Sequence, residues 1–344
     1  MEINKIIDNY NKSIQDYKLD QKSKHWKYYY GKKFNNLSEE KIINFRNNGL
    51  SDGLDNVRLL NSCEKKYNDF INYAKPLNIF SQNFEKYFPE KNIGNCPNYI
   101  TRNNAFVDHD VIDSLASLLE LKGLIFSKTK IKSVCEIGGG YGSLCSAILK
   151  DQNLKYVLVD LPETNILSTY YLSNLFPNKK ICTISDLVGN ELVKEIYDKY
   201  DIFILTPWTK VKSIKFDLFI NCRSWMEMKN KVIKEYFKFI ENTINEDGFL
   251  YNSNRYYKDS VGEKVILSKY PYDHYWKIIY SKMAWEQRRI HTIITQRTNL
   301  KMNDINEAMK NIKILEKNHI PPKIPLFLIY FYRKIKSLIK KNKV

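Results

Sequence analysis

The stretch Val134 to Gly142, V-C-E-I-G-G-G-Y-G, followed by Y-V-L-V-D ending at Asp160, restricts this chain more than any other. Ile131, Val134 and Ile137 supply a short buried strand. The glycines permit a sharp turn and close approach of a ligand, and Leu144, Ile148 and Leu149 mark the helix that follows. Strand, glycine turn, helix, second strand and terminal carboxylate form the unit that sets an acid against ribose hydroxyls in doubly wound sheets.

Spacing narrows the ligand. A dinucleotide fingerprint beginning at Gly138 needs a glycine where Ser143 stands, and no G-x-x-x-x-G-K-[ST] phosphate loop occurs here. Glu136, on the strand just before the turn, would repel a pyrophosphate and suits a cationic ligand carrying an amino group.

The formal charge of +17 raises nucleic acid or an anionic membrane as partners, but the excess Lys is spread among Asn, Ile and Tyr along the whole chain. That reads as composition bias and not as a designed patch. The cysteines Cys63, Cys96, Cys135, Cys145, Cys182 and Cys222 form no C-x-x-C pair and have no His at metal-ligand spacing, so they read as reduced thiols and no metal site is expected. M-E-I-N-K-I-I-D-N-Y lacks the apolar run of a signal peptide, and no apolar stretch is long enough to span a bilayer; a cytoplasmic location is expected.

Residues 1–97 read as a helical N-terminal cap or substrate domain, with helices at Lys5 to Tyr17, Ser38 to Asn48 and Val57 to Ala74 and Ser38 as an N-cap. Trp26 and Tyr28 to Tyr30 suit either helix core or a sugar-stacking platform. Residues 98–318 carry the α/β pattern, opened by a helix through Val111, Leu115, Leu118 and Leu119. Asp108 or Asp110 can cap that helix. The third strand is either Ile181 to Ile184 or, favoured, Ile202 to Thr206, which would bring Thr206 to Trp208 toward a base; the fourth is Phe216 to Asn221 and the fifth Gly248 to Asn252. R-S-W-M-E-M after the fourth strand and N-S-N-R after the fifth lie where ligands collect. From Arg255 to about 300 the chain is polar and aromatic, and its His274, His291, Trp276 and Trp285 suit an acceptor pocket. Residues 319–344 end in a basic tail whose apolar run and clustered Lys, within 325–344, suit either a docked helix or an interfacial anchor on the inner face of an anionic cytoplasmic membrane.

E-I-G-G-G-Y-G with V-L-V-D resembles motif I and the second-strand acid of class I methyltransferases, which bind S-adenosyl-L-methionine. Together with L-P-E-T, F-D-L-F-I-N, S-W-M-E-M, Y-N-S-N-R, Y-P-Y-D-H-Y-W and the upstream F-R-N-N-G-L-S-D-G-L-D, it resembles the bacterial sugar O-methyltransferase family over residues 25–300. The resemblance implies a doubly wound Rossmann-like class I methyltransferase sheet with a helical N-terminal domain. It implies a methyl acceptor hydroxyl on a surface glycan or its nucleotide-linked precursor. Cofactor contacts would come from Glu136, Gly138, Gly139, Gly140, Gly142, Asp160, Leu161 and Asn221, with Arg102 and His109 as lid candidates. A sugar hydroxyl needs a base, for which Glu227 is the first choice and His291 and His274 are rivals; pairing of Glu227 with a neighbouring Arg is the alternative role. Cys222 and Trp225 depart from the family's turn and bear on acceptor shape.

A nucleic-acid methyltransferase is the enzymatic rival, but Asn221 is followed by Cys222-Arg223-Ser224 where amino-directed enzymes carry [DN]-P-P-[YF], and Cys96-Pro97 reverses the order of a Pro-Cys nucleophile. A non-catalytic membrane-bound scaffold retaining the cofactor fold is the second alternative; the intact glycine turn and Asp160 argue against it.

Overall fold

The computed structural model describes residues 2–15, 26–27, 33–34, 37–51, 60–77, 79, 84–259 and 261–320. The expected Tyr28 to Tyr30 platform and the basic segment 325–344 lie outside them.

Eight strands form the central sheet: β1 Ser133–Ile137, β2 Lys155–Val159, β3 Ile181–Cys182, β4 Ile202–Leu205, β5 Phe216–Cys222, β6 Ile244–Arg255, β7 Trp276–Met283 and β8 Ile290–Arg297. Their order is β7-β8-β6-β5-β1-β2-β4-β3. All neighbours from β6 to β3 run parallel, and β8 is antiparallel to both β6 and β7. The chain leaves β1 toward β2 and later returns to its other side as β5, so the switch point lies between the carboxyl ends of β1 and β5, where a crevice opens.

Alternation along each strand produces the two layers. Val134, Leu158, Ile204 and Ile220 enter one core; Cys135, Ile137, Val159, Leu205 and Phe219 enter the other. The first core is covered by α1 Ile3–Gln15, α2 Glu39–Ile43, α3 Leu60–Ala74, α4 His109–Leu121, α5 Ser143–Asp151 and α6 Pro162–Leu175. The second is covered by α7 Asn230–Thr243 and α8 Asp304–Glu316. The expected doubly wound Rossmann-like α/β sheet with a helical N-terminal region is present. Ile6, Ile42, Phe45 and Phe70 of that region share one core with Val134 and Ile220 of the sheet.

Ser38 caps α2, its side chain accepting from Lys41 N. Asp108 caps α4, accepting from Asp110 N at 2.8 Å and Val111 N at 3.2 Å. Both stretches competing for the third strand are strands, Cys182 pairing with Phe203 at the sheet edge. The fifth strand is longer than expected, with a register shift between Ile244 and Phe249. Strands β7 and β8 fall in the polar, aromatic region that was read only as a pocket lining. In β8 Ile290 through Thr295 are all buried, so no polar period marks the strand.

Candidate active site

The glycine turn sits over the crevice. Gly138, Gly140 and Gly142 have φ of 73°, 58° and 94°, the left-handed region that favours glycine. At Gly138 a Cβ would overlap the Ser224 side chain from the turn after β5, so a side chain larger than hydrogen does not fit there. Gly138 N–H donates to Val159 O at 2.7 Å, tying the turn to the end of β2.

Asp160 follows β2 directly. Its carboxylate accepts from Gly140 N at 2.9 Å and Leu161 N at 2.7 Å. Burial pushes its pKa up to about 7, with the donors Leu161 N, Gly140 N and the Thr164 side chain opposing, and among the described residues no cation pairs with it. The half-buried group therefore borders the crevice as an acceptor with capacity left over, which fits a vicinal pair of hydroxyl donors.

Two adjoining clefts share Ser51, Gly138, Gly140, Cys222 and Arg223. The first, of about 320 Å³, runs from Asp160 and Leu161 past Leu205, Thr206 and Pro207 to the α7 face of Tyr236 and Phe239, with Trp26 on its wall. The second, of about 230 Å³, is polar, with Ser114, Ser117, Ser143 and Ser253 beside Glu136. The charged groups in both are mostly carboxylates: Asp160, Glu227 and Glu235 in the first, Asp110, Asp113 and Glu136 in the second. Among the described lining residues, Arg223 is the sole cation. A chain of net charge +17 thus presents acid-lined clefts at its switch point.

Glu136 is 2 % exposed and accepts from Tyr156 Oη at 2.7 Å. Burial raises it to about 7, against the Tyr156 bond, with Asp160 adding to the rise. A Cβ at Gly139 would press on its carboxyl group, so that glycine is needed for packing against Glu136. Asp110 is held by Arg46, whose guanidinium spans Asp108 at 2.8 Å and Asp110 at 3.4 Å and lies 4.9 Å from the Tyr141 ring centroid. Asp113 pairs with Lys66 and with Arg223, the latter at 2.6 Å; these cations hold it well below the usual carboxylate range despite its burial. Arg223 adopts φ 60° and reaches Glu286 at 2.8 Å, pinning the β7–β8 connection to α4.

Among the expected cofactor residues, Glu136, Gly138, Gly139, Gly140, Asp160 and Leu161 line the clefts, and Gly142 opens α5. Asn221 does not face them. It is fully buried, its Nδ2 donating to Ile137 O at 2.7 Å and its Oδ1 accepting from Trp225 N and Asn254 Nδ2. Arg102 lies on the Ile100–Val107 hairpin, pairs with Glu64, and is outside both linings. His109 meets Ser62 Oγ at 3.0 Å. Thr206 and Pro207 reach the first cleft and Trp208 does not line it.

Of the base candidates only Glu227 lines a cleft, held by an ion pair with Lys258. His291 sits away from the linings, 2 % exposed between Tyr256 Oη and Ser281 Oγ, each at 2.8 Å; burial lowers it to about 4. Exposed His274 lies beside α8, 3.4 Å from Asn306. Both histidines are therefore fold elements, because burial between hydroxyls and position at the sheet edge separate them from the crevice. The sequence did not point to Asp110 and Asp113 as cleft walls or to Arg46 as the cation behind Asp110, whereas Trp26, read as helix core or a sugar-stacking platform, does line the first cleft.

No family model matches this sequence. No curated protein matches it either. Solved structures that match include the mitomycin 7-O-methyltransferase MmcR, 13% identical over 55% of this chain and 53% of that one, with a TM-score of 0.37. An O-methyltransferase family protein from Burkholderia thailandensis is 12% identical over 55% of this chain and 57% of that one, TM-score 0.38. Magnesium protoporphyrin IX methyltransferase (ChlM) from Synechocystis PCC 6803 is 11% identical over 67% of this chain and 97% of that one, TM-score 0.39. The chain spans about half the length of the first two. The fold assignment stands on the strand order itself.

Proposed function

We propose that this chain is an S-adenosyl-L-methionine-dependent O-methyltransferase acting on a hydroxyl of a sugar or glycan. The observation that carries the reading is the half-buried Asp160 carboxylate, without a cation partner among the described residues, at the mouth of an acid-lined crevice beneath a left-handed glycine turn. Such a cleft suits a ligand with ribose hydroxyls and positive charge, and it disfavours phosphates within the clefts themselves.

Asp160 would accept from ribose hydroxyls, Leu161, Thr206 and Pro207 would border the base, and Glu136 with Gly138 to Gly140 would border the amino-acid end. When bound, the cofactor supplies an electrophilic methyl group, so the protein need only align an acceptor and remove its proton. Glu227 would take that proton on a carboxylate oxygen; it lines the first cleft and pairs with Lys258. General-base assistance is worth on the order of 10²–10⁴-fold, which is the loss expected in turnover for Glu227→Gln with cofactor affinity kept.

Calorimetry with S-adenosyl-L-methionine and its demethylated product tests the reading; absence of binding by either sinks it and leaves the scaffold alternative. Tight, steeply salt-dependent binding to duplex DNA would instead favour a nucleic-acid substrate. Comparing surface glycans with and without the gene by mass spectrometry tests the sugar.

A further inference from the structure

The carboxyl end of α8 is locked against the chain that leaves β6. His319 stacks on Tyr256, with ring centroids 4.6 Å apart and planes 3° from parallel. Glu316 accepts from Ser268 N at 2.6 Å and from Ser268 Oγ at 2.7 Å. Tyr256 N–H donates to Arg289 O at 3.0 Å, and its carbonyl accepts from Leu267 N at 3.1 Å. The end of α8, the turn Leu267–Lys269 and the β7–β8 connection therefore meet at Tyr256. Tyr256 follows Ser253 of the second cleft by three residues, which span at most about 11 Å.

This end of the molecule is both basic and apolar. From Ala308 to Ile320 the exposed charged residues are Lys310, Lys313 and Lys317, while Glu316 is 2 % exposed and turns its carboxylate inward to Ser268. Lys269, Arg288 and Arg289 are exposed as well, and Glu286 beside the arginines is engaged by Arg223. Ile314, Leu315 and Ile320 are 61, 41 and 39 % exposed among these cations. Aliphatic side chains add nothing to a phosphate backbone, whereas an anionic bilayer takes cations at its headgroups and aliphatic side chains at its acyl boundary. Beyond Ile320 the sequence continues P-P-K-I-P-L-F-L-I-Y-F-Y-R-K-I-K-S-L-I-K-K-N-K-V, an apolar run and clustered cations with no acid, so the same composition carries on from the helix end.

We propose that the end of α8, with Lys269 and the Arg288–Arg289 connection, is a docking face for an anionic bilayer, set beside the second cleft so that the methyl acceptor is a sugar held on a membrane lipid. The docking face stands on its own geometry, and the lipid-held acceptor rests on the methyl-transfer reading. Docking would restrict the search for such an acceptor to the membrane surface and bring its headgroup within reach of the cleft.

Flotation of the full chain with vesicles of phosphatidylcholine alone, or with about 30 % phosphatidylglycerol, tests the docking face. Binding to the anionic vesicles is expected to be about tenfold or more tighter. Lys313→Gln with Lys317→Gln should lose about 25-fold, since each cation near such a surface contributes about fivefold. Ile314→Ser should weaken the binding that persists at ~0.5 M salt, where the ionic part is screened. These substitutions change exposed side chains and leave the sequence beyond Ile320 intact, so melting temperature and S-adenosylhomocysteine affinity should stay at wild-type values and any loss reports on the folded face. Equal binding to both kinds of vesicle, variants that bind like wild type, or tighter binding to duplex DNA than to anionic vesicles overturns the docking face. With methyl-labelled S-adenosyl-L-methionine and the cell's membrane fraction, label is expected in a chloroform-extractable product and should fall in the double variant; label confined to water-soluble products overturns the lipid-held acceptor. If anionic vesicles bind while S-adenosylhomocysteine does not, the docking face stands and the methyl-transfer reading falls.

Discussion

Asp160 gives the sharpest quantitative test of the cofactor cleft. Its carboxylate already accepts from two backbone N–H groups, and burial raises its pKa to about 7. Binding of ribose hydroxyls as donors requires the ionised form, so affinity should track ionisation. From pH ~8 to ~5.5 the ionised fraction falls from about 0.9 to about 0.03, so affinity for a ribose-bearing ligand should fall roughly thirtyfold. Methylthioadenosine is the preferred probe because it carries ribose and base without an ammonium group, which removes Glu136 as an opposite-charge partner. Asp160→Asn should bind it weakly and without this pH dependence. The fold should respond with the opposite sign to pH. The unfolded carboxyl ionises near 3.8 and the folded one near 7, so between them the native state holds a proton the unfolded chain has lost, and stability falls as pH rises across that window. Melting temperatures of Asp160→Asn should accordingly show a shallower decline over the same range. Affinity constant within about threefold from pH ~5.5 to ~8, or an Asn variant that binds like wild type, refutes the assignment of Asp160 as the ribose acceptor.

Other outcomes follow from the same geometry. Gly138→Ala should lower both melting temperature and S-adenosylhomocysteine affinity, because its methyl overlaps Ser224, and adding Ser224→Gly should restore part of each; a single variant indistinguishable from wild type contradicts the close approach. Arg46→Met removes the guanidinium that pairs with Asp108 and Asp110 in a largely buried site and should cost about 3–5 kcal/mol in urea unfolding. His291 has a folded pKa near 4 against 6.5 unfolded, so the unfolded chain takes up a proton first and stability falls as pH drops below 6.5; His291→Asn should flatten that acid limb and leave S-adenosylhomocysteine binding unchanged, as calorimetry would show.

The parts of the fold legible in the sequence were those with a strong local cause. Glycines forced into positive φ, a Pro at the first turn of α6, and an Asp capping α4 each act within a few residues. β7 and β8 escaped because neighbours shield both faces of β8, which removes the polar period, and because β7 leaves Tyr280 partly exposed and Lys282 exposed. At the site, residues adjoining the glycine turn were legible, since chain proximity places them. Asp113 reaches it, and Arg46 braces Asp110 beside it, only through packing across sequence separations that no local pattern encodes. Arg102 and His109 were drawn in by their position before β1, and the hairpin turn then carries Arg102 off to Glu64.

Asn221 shows how a residue at the right strand end can serve the site without touching a ligand. Its Nδ2 bonds Ile137 O, fastening β5 to β1 at the switch point. Its Oδ1 receives Trp225 N at 3.1 Å and Asn254 Nδ2 at 2.8 Å, and Asn254 Oδ1 receives Met226 N at 3.1 Å. Asn254 also donates to Asn252 Oδ1 at 2.6 Å, and Asn252 donates to Tyr272 Oη at 2.9 Å. All three asparagines are fully buried, so their bonds stand in place of water and removing any one strands its partners. The turn they grip, Trp225 to Glu227, is the one that carries the proposed base, and Trp225 fills the core beneath it against Phe237. Asn221→Ala should therefore lower stability and turnover together, while Glu227→Gln should lower turnover alone. A variant of Asn221 that unfolds like wild type yet loses cofactor binding would return that residue to the cleft and dismiss the strut.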